Sequence, residues 1–275
     1  MKGFLNLGIY KGCDIRGVYN EELTDAFAFK AARAFQKLLL GKKFVVGGDT
    51  RFSTPALKKE IINGFLKSGA KVYDIGNATT PLLYFAVKKL KCDGGIMITA
   101  SHNAPEYNGF KMCKGIFTIM DSEITELRKY IEENKFEDAR GEEEKYNILP
   151  EYYDSLKTNL KLPRKLKIVV DFQNSVCAEV NARLFDNPLL ETIKINDIPD
   201  PYYKKHPPDP SVEEYVAEAK EAVVKNKADM GIVFDGDGDR SVYIDDKGRI
   251  VASDKSLALF IKYLFKKEGP GKVIY

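Results

Sequence analysis

Short apolar runs that suit buried strands alternate with stretches of helical periodicity along nearly the whole chain, and this alternation restricts the fold more than any other feature of the sequence. After a helical stretch over residues 21–40, residues 44–47 read as a buried strand and 54–69 as a helix with an apolar face of Leu57, Ile61 and Phe65, flanked by Ile62 and Leu66. Residues 71–75 suit a strand, 80–90 a helix with Pro81 in its first turn, and 94–99 another strand. The pattern resumes with strand 167–171, helix 176–185, strand 192–195, helix 212–227, strand 229–234 and a hairpin ending near Val251. Such an order predicts α/β sheets covered by helices on both faces.

Two interruptions divide the chain. Residues 132–150 turn charged and lose periodicity, as a solvated connection would, which places a domain boundary near Asn147. Residues 199–210 form a proline-rich loop. Past the hairpin, Asp254 is placed to cap a helix running to Lys267 with Leu257, Phe260, Ile261 and Leu264 on one face; residues 272–275 then read as the opening of a strand. The expected units are residues 1–147, 148–252 and a short third segment, 253–275. A length of 275 residues suits two domains that bury their cores without disulfide or metal staples.

Composition narrows the function. With 44% hydrophobic and 30% charged residues the chain reads as a soluble globular protein, and residues 1–10 lack the apolar stretch of a signal peptide. A cytoplasmic location is expected, with no membrane partner. The 43 basic and 40 acidic residues give a net charge of only +3, and no basic block interleaved with aromatics would track a phosphate backbone, so nucleic acid is not an expected partner. Cys13, Cys92, Cys113 and Cys177 are too widely spaced for a zinc pair or a disulfide framework and read as reduced, mostly buried thiols.

Two segments can carry chemistry. Residues 99–111, TASHNAPEYNGFK, directly follow a buried strand, where open α/β sheets bind ligands beyond the strands' carboxyl ends. Ser101, His102, Asn103 and Lys111 offer a hydroxyl, an imidazole, an amide and an amine: a nucleophilic or phosphorylated serine with a proton-transfer neighbour, or else a polar turn holding a fortuitous histidine. Residues 235–240, DGDGDR, follow the apolar strand 229–234, and Asp235, Asp237 and Asp239, separated by glycines, can converge on one hard cation. The alternative is a solvated acidic turn. An EF-hand is excluded by Arg240 at the sixth position, Asp246 at the twelfth and the flanking strands. A metal site and an anionic serine in neighbouring domains suggest phosphoryl transfer, and no Walker motif supports nucleotide binding.

TASHNAPEYNGFK resembles the phosphoserine loop of the α-D-phosphohexomutases, the phosphoglucomutase/phosphomannomutase family, written T-A-S-H-N-P-x-x-Y-N-G-x-K, and DGDGDR resembles that family's metal loop, D-G-D-x-D-R. Residues 14–17 (DIRG), 48–53 (GDTRFS), 206–210 (HPPDP) and 228–231 match further family positions in order. The resemblance implies two three-layer α/β/α domains with mixed, mostly parallel sheets, plus the first helix and strand of a third. It further implies that Ser101 carries a phosphoryl group, passing it to a hexose phosphate by way of a hexose bisphosphate. Asp235, Asp237 and Asp239 would hold Mg²⁺ together with an oxygen of phosphorylated Ser101. His102 and Lys111 become acid/base candidates, and Arg16 and Arg240 orient phosphate or the serine loop. Arg51 stands between a functional role and a structural ion pair, and His206 reads as structural. Ala104 replaces the family's proline, and the G-E-x-S-G-H and R-x-S-G-T motifs of its third and fourth domains do not occur. The expectation is therefore impaired turnover by a chain holding domains one and two, with self-association through the apolar third segment. The alternatives are a weakly catalytic assembly fragment and a metal-dependent sugar-phosphate phosphatase.

Overall fold

The structure, a computed structural model, describes residues 8–157, 162 and 164–274. The first sheet collects β1 (Asp14–Val18), β2 (Lys43–Gly48), β3 (Lys71–Asn77), β4 (Gly94–Ile98), β5 (Tyr107–Lys114), β6 (Phe117–Thr118) and β7 (Glu142–Lys145) in the order β1-β5-β4-β2-β3-β7, with β6 on β5. Its strands β4, β2, β3 and β7 run parallel, while β5 is antiparallel to β4 and β1. Alternating residues of one strand feed opposite layers, as the pleat requires: Phe44 and Val46 join the core under α1 (Asp25–Leu39), α2 (Thr54–Lys67) and α4 (Asp121–Glu133), whereas Val45 joins the core under α3 (Thr80–Lys89) and α5 (Leu149–Lys157).

The second sheet has the order β12-β11-β10-β8-β9, from β8 (Leu166–Asp171), β9 (Leu190–Ile195), β10 (Met230–Phe234), β11 (Ser241–Asp245) and β12 (Ile250–Val251). β9, β8 and β10 are parallel, and the hairpin strands β11 and β12 add antiparallel. α7 (Ala217–Lys225) covers one face through Ala219 and Val223, and α6 (Cys177–Val180) with a 3-10 turn (Ala182–Phe185) covers the other. Val176 and Val180, with Tyr152 of α5, pack into the first unit's core with Val45 and Leu83, and within the second unit the Tyr153 hydroxyl donates to the Val180 carbonyl at 2.9 Å. The two sheets thus share a hydrophobic layer.

Several expectations need correction. The charged connection is not wholly solvated coil: its EEEK stretch is β7, paired with β3, and as an exposed edge strand it needs no apolar residues. The expected helix 176–185 breaks into α6 and the 3-10 turn, and 212–227 into a 3-10 turn (Glu213–Val216) and α7. Asp254 does not cap α8 (Ser253–Glu268); it sits in the first turn, and Ala252 is the cap. Residues 272–274 form no strand, since an extended segment gains little without a neighbour to pair with, and Tyr275 lies outside the described residues. Leu259, Phe260, Tyr263 and Leu264 of α8 are exposed. Among the described residues no helix is long and apolar enough to cross a membrane, and all four cysteines are free, with Cys13 exposed and the others buried.

Helices α1 and α2 approach so closely at Gly64 that an added Cβ would lie 2.4 Å from the Phe29 carbonyl oxygen and 2.9 Å from the Ala32 Cβ. Alanine is a better helix former than glycine by about 1 kcal/mol, but overpacking a backbone contact costs about 1–3 kcal/mol. Gly64→Ala is therefore expected to lower stability by about 1–2 kcal/mol. Urea unfolding checks this, and a raised midpoint would show that the helices separate at little cost.

Candidate active site

Both chemistry-bearing loops leave the carboxyl ends of parallel strands, the serine loop from β4 and the metal loop from β10, and they meet where the two sheets adjoin. Ser101 is almost fully buried and adopts a left-handed backbone, φ +55°, an arrangement that costs a non-glycine residue about 1–3 kcal/mol unless its surroundings impose it. Its amide donates to Thr99 Oγ1 at 2.8 Å. Its hydroxyl donates to Asp235 Oδ2 at 2.7 Å and accepts from Arg240 Nη2 at 2.7 Å. A cation and a carboxylate therefore bracket the oxygen of a potential nucleophile.

Asp235, Asp237 and Asp239 present carboxylate oxygens within 4.8 Å of one another, and the first two residues are fully buried. Gly236 lets the loop approach, because a Cβ there would stand 2.2 Å from the Ser101 carbonyl oxygen; Gly238 takes φ +71° against Cys177 and Thr79. α3 abuts the same loop with its first turn. The Thr80 amide donates to the Asp237 carbonyl at 2.9 Å and its hydroxyl donates to Asp237 Oδ2.

The electrostatics follow from crowding. Burial, reinforced by Asp237 and Asp239, pushes the Asp235 carboxyl up to about 7. Burial works on Asp237 in the same direction, but Lys111, 2.6 Å from its Oδ2, outweighs it and holds that carboxyl below its ordinary value. Lys111 also donates to Asp239 Oδ2 at 2.6 Å; burial opposes its charge, yet the two carboxylates raise its affinity for the proton. One oxygen, Asp237 Oδ1, is buried with no hydrogen-bond partner. An unpartnered oxygen in an all-carboxylate donor set, short of positive charge, fits a hard divalent cation.

The remaining expected residues reach the same place. His102 accepts at Nδ1 from Arg240 and lies 3.4 Å from the Ser101 hydroxyl; burial and then the Arg240 charge depress its basicity. Arg16 pairs with Asp14 at 2.8 Å and donates to Asn103 Oδ1 at 3.0 Å, so it braces the serine loop without touching Ser101. Lys111 lies not on the loop but on β5, whose regular ladder fixes it opposite the metal loop. His206 stacks on Tyr215 with ring centroids 4.5 Å apart. Thr80, Gly236 and Tyr203 also shape the site. Gly236 lies inside the DGDGDR motif, whose glycines signal a tight turn but not the approach to the Ser101 carbonyl, whereas Thr80 and Tyr203 carry no local sequence signal.

Comparison with known proteins agrees with this geometry. Residues 9–138 match the family model described as phosphoglucomutase/phosphomannomutase, alpha/beta/alpha domain I, and residues 150–248 match domain II of the same family. The chain is 34% identical to the phosphomannomutase/phosphoglucomutase of Pseudomonas aeruginosa over 98% of its own length and 59% of that protein's. It is 38% identical to a probable phosphoglucosamine mutase of Pyrococcus abyssi, over 98% of this chain and 60% of the relative. A crystal structure of a phosphoglucomutase/phosphomannomutase family protein from Burkholderia thailandensis superposes with a TM-score of 0.90 at 33% identity, over 94% of this chain and 59% of that one. The chain thus spans about three-fifths of the length of the relatives it matches. Two domain matches in sequence order, on a fold that brings the serine and aspartate loops together, place this chain in the phosphoglucomutase/phosphomannomutase family.

Proposed function

We propose that this chain carries the phosphoryl-transfer centre of a phosphohexomutase, interconverting hexose 1-phosphate and 6-phosphate through phosphorylated Ser101 and a bound hexose bisphosphate. The observation that carries this reading is the Ser101 hydroxyl set between Asp235 and Arg240, beside the three-aspartate cluster. Asp235, Asp237 and Asp239 would hold Mg²⁺, which when bound offsets negative charge on the phosphoryl oxygens.

The charge count supports pairing a cation with a phosphoryl group. Three carboxylates against Lys111 and Arg240 leave the cluster one negative charge in excess. A divalent cation would reverse this excess to one positive, a charge that attracts a phosphoryl group of about −2, whose arrival returns the cluster to one negative. In the transfer, a sugar hydroxyl oxygen bonds to phosphorus as the bond to Ser101 Oγ breaks. Arg240 Nη2, already donating to that oxygen, stabilises the charge it gains on leaving, and the hydroxyl proton passes to a base, for which His102, 3.4 Å from the Ser101 hydroxyl, is the candidate. The bisphosphate then turns over and returns its other phosphoryl to Ser101 as the same bonds exchange in reverse. Lys111, held protonated, is suited to contact phosphate, and its tightened hold on the proton makes it the poorer of the two acid/base candidates. The relatives are named for glucose, mannose and glucosamine phosphates, so hexose phosphates define the substrate class.

Incubation with radiolabelled glucose 1,6-bisphosphate is expected to place one phosphoryl group on Ser101, with none in Ser101→Ala; intact-mass analysis checks this. Label persisting in the alanine variant sinks the assignment of the carrier. Rapid release of inorganic phosphate without label transfer to glucose phosphate would instead favour a phosphatase, in which water takes the sugar's part. Asp237→Asn is expected to weaken Mn²⁺ binding by at least about tenfold, since it dilutes the charge of a buried donor set. Calorimetry reads this, and unchanged affinity would remove Asp237 from the metal site.

A further inference from the structure

We infer that Arg51 is the positioning residue of the serine loop, setting the backbone that aims the Ser101 hydroxyl. The inference rests on Ser101 being the phosphoryl carrier. Arg51 is among the largest side chains withdrawn from solvent here, and each of its five N–H groups has an acceptor. One goes to Asp49 Oδ2 at 3.2 Å, as a structural ion pair requires. The other four go to main-chain carbonyls of the serine loop: Ser101 at 2.8 Å, Asn103 at 2.7 Å, Ala104 at 2.7 Å and Tyr107 at 3.1 Å. A pair that served stability alone would not need a fork spread over four carbonyls of one turn.

The second domain completes the clamp. The Tyr203 ring lies 5.1 Å from the guanidinium carbon, and the Gly236 backbone seats against the same Ser101 carbonyl that Arg51 holds. That carbonyl is fixed from both domains, which maintains the left-handed Ser101 backbone and, through it, the 2.7 Å contacts of the hydroxyl. The loop has Ala104 where the family pattern has proline, and the Ala104 carbonyl is one of those that Arg51 holds.

Arg51→Lys keeps a charge for Asp49 but offers three donors in place of five, and so separates pairing from positioning. Amide hydrogen exchange in a peptide covering residues 99–107 is expected to accelerate roughly tenfold while exchange in α2 and β2 stays unchanged. Phosphoryl transfer from labelled glucose 1,6-bisphosphate to Ser101 is expected to slow about a hundredfold, with Mn²⁺ affinity held within about twofold. Tyr203→Leu, which strips the ring and leaves the hydrogen bonds, is expected to accelerate exchange in the same peptide by a smaller factor, and serves if the lysine variant does not fold. Exchange unchanged in residues 99–107, or rising equally in every peptide, overturns the inference, as does transfer at the parent rate. If the parent chain takes up no label, the proposed carrier fails, and the exchange measurement still decides whether Arg51 sets the loop.

Discussion

Three carboxylates drawn within 4.8 Å, two of them without solvent, set the condition that the rest of the site must meet. At an effective dielectric constant of about 20, each like-charge pair at that distance costs about 3–4 kcal/mol. Cations must meet such groups, and Lys111 does so from β5 of the first domain while Arg240 does so from the aspartate loop of the second. The rise of the Asp235 carboxyl to about 7 and the unpartnered Asp237 oxygen mark what those cations leave undone. The cluster is a structural cost that a metal ion held by the three aspartates would offset.

The backbone accepts a matching cost. Ser101 in the left-handed region, a glycine with its Cα against a carbonyl, and an arginine buried with its aspartate are each unfavourable alone. They meet at the carboxyl ends of parallel strands, β2, β4 and β10, so that small residue-level strains are spread over two sheets. Breaking the Asp49–Arg51 pair by removing one partner would leave a charge stranded in the interior, at about 3–5 kcal/mol. The serine loop is consequently held by a contact that the fold cannot easily give up.

Much of this was legible beforehand, for physical reasons. Apolar strands and amphipathic helices announce themselves by period, so β2, β3, β4, β8, α2 and α3 fall close to the residues expected. Strands without that signature give no such sign: β7 is an edge of Glu and Lys, β1 and β6 are short, and β5 runs through the end of the TASHNAPEYNGFK motif, although it is β5 that presents Lys111. Ser101, His102, Lys111, Arg16, Arg240 and the three aspartates do come together, because spacing within each motif encodes the local turn. Arg51 is harder to read. Its five acceptors lie 50 and more residues downstream except for Asp49, and a sequence shows the arginine but not the carbonyls it gathers. Tyr203 is harder still, since it enters from a proline-rich loop with no periodicity to follow.

The junction between the domains decides how such distant groups keep sub-ångström register. A flexible linker would let the serine and metal loops drift, and a drift of about 1 Å is worth about a hundredfold in a transfer step. Here the join is a core: Val176 and Val180 of the second domain pack among Val45, Leu82 and Leu83 of the first. Phe52 and Tyr202 stack at 5.1 Å, and the Phe52 amide donates to the Pro201 carbonyl at 3.1 Å, directly beside Arg51. The proline-rich loop thus acts as a strut rather than a tether, its restricted backbone delivering Tyr202 and Tyr203 to the GDTRFS turn at low conformational entropy. Pro208 reaches Gly236 from the same loop, so one irregular segment touches the serine clamp at one end and the metal loop at the other. Register between the two halves of the site is therefore a property of that loop and the shared core.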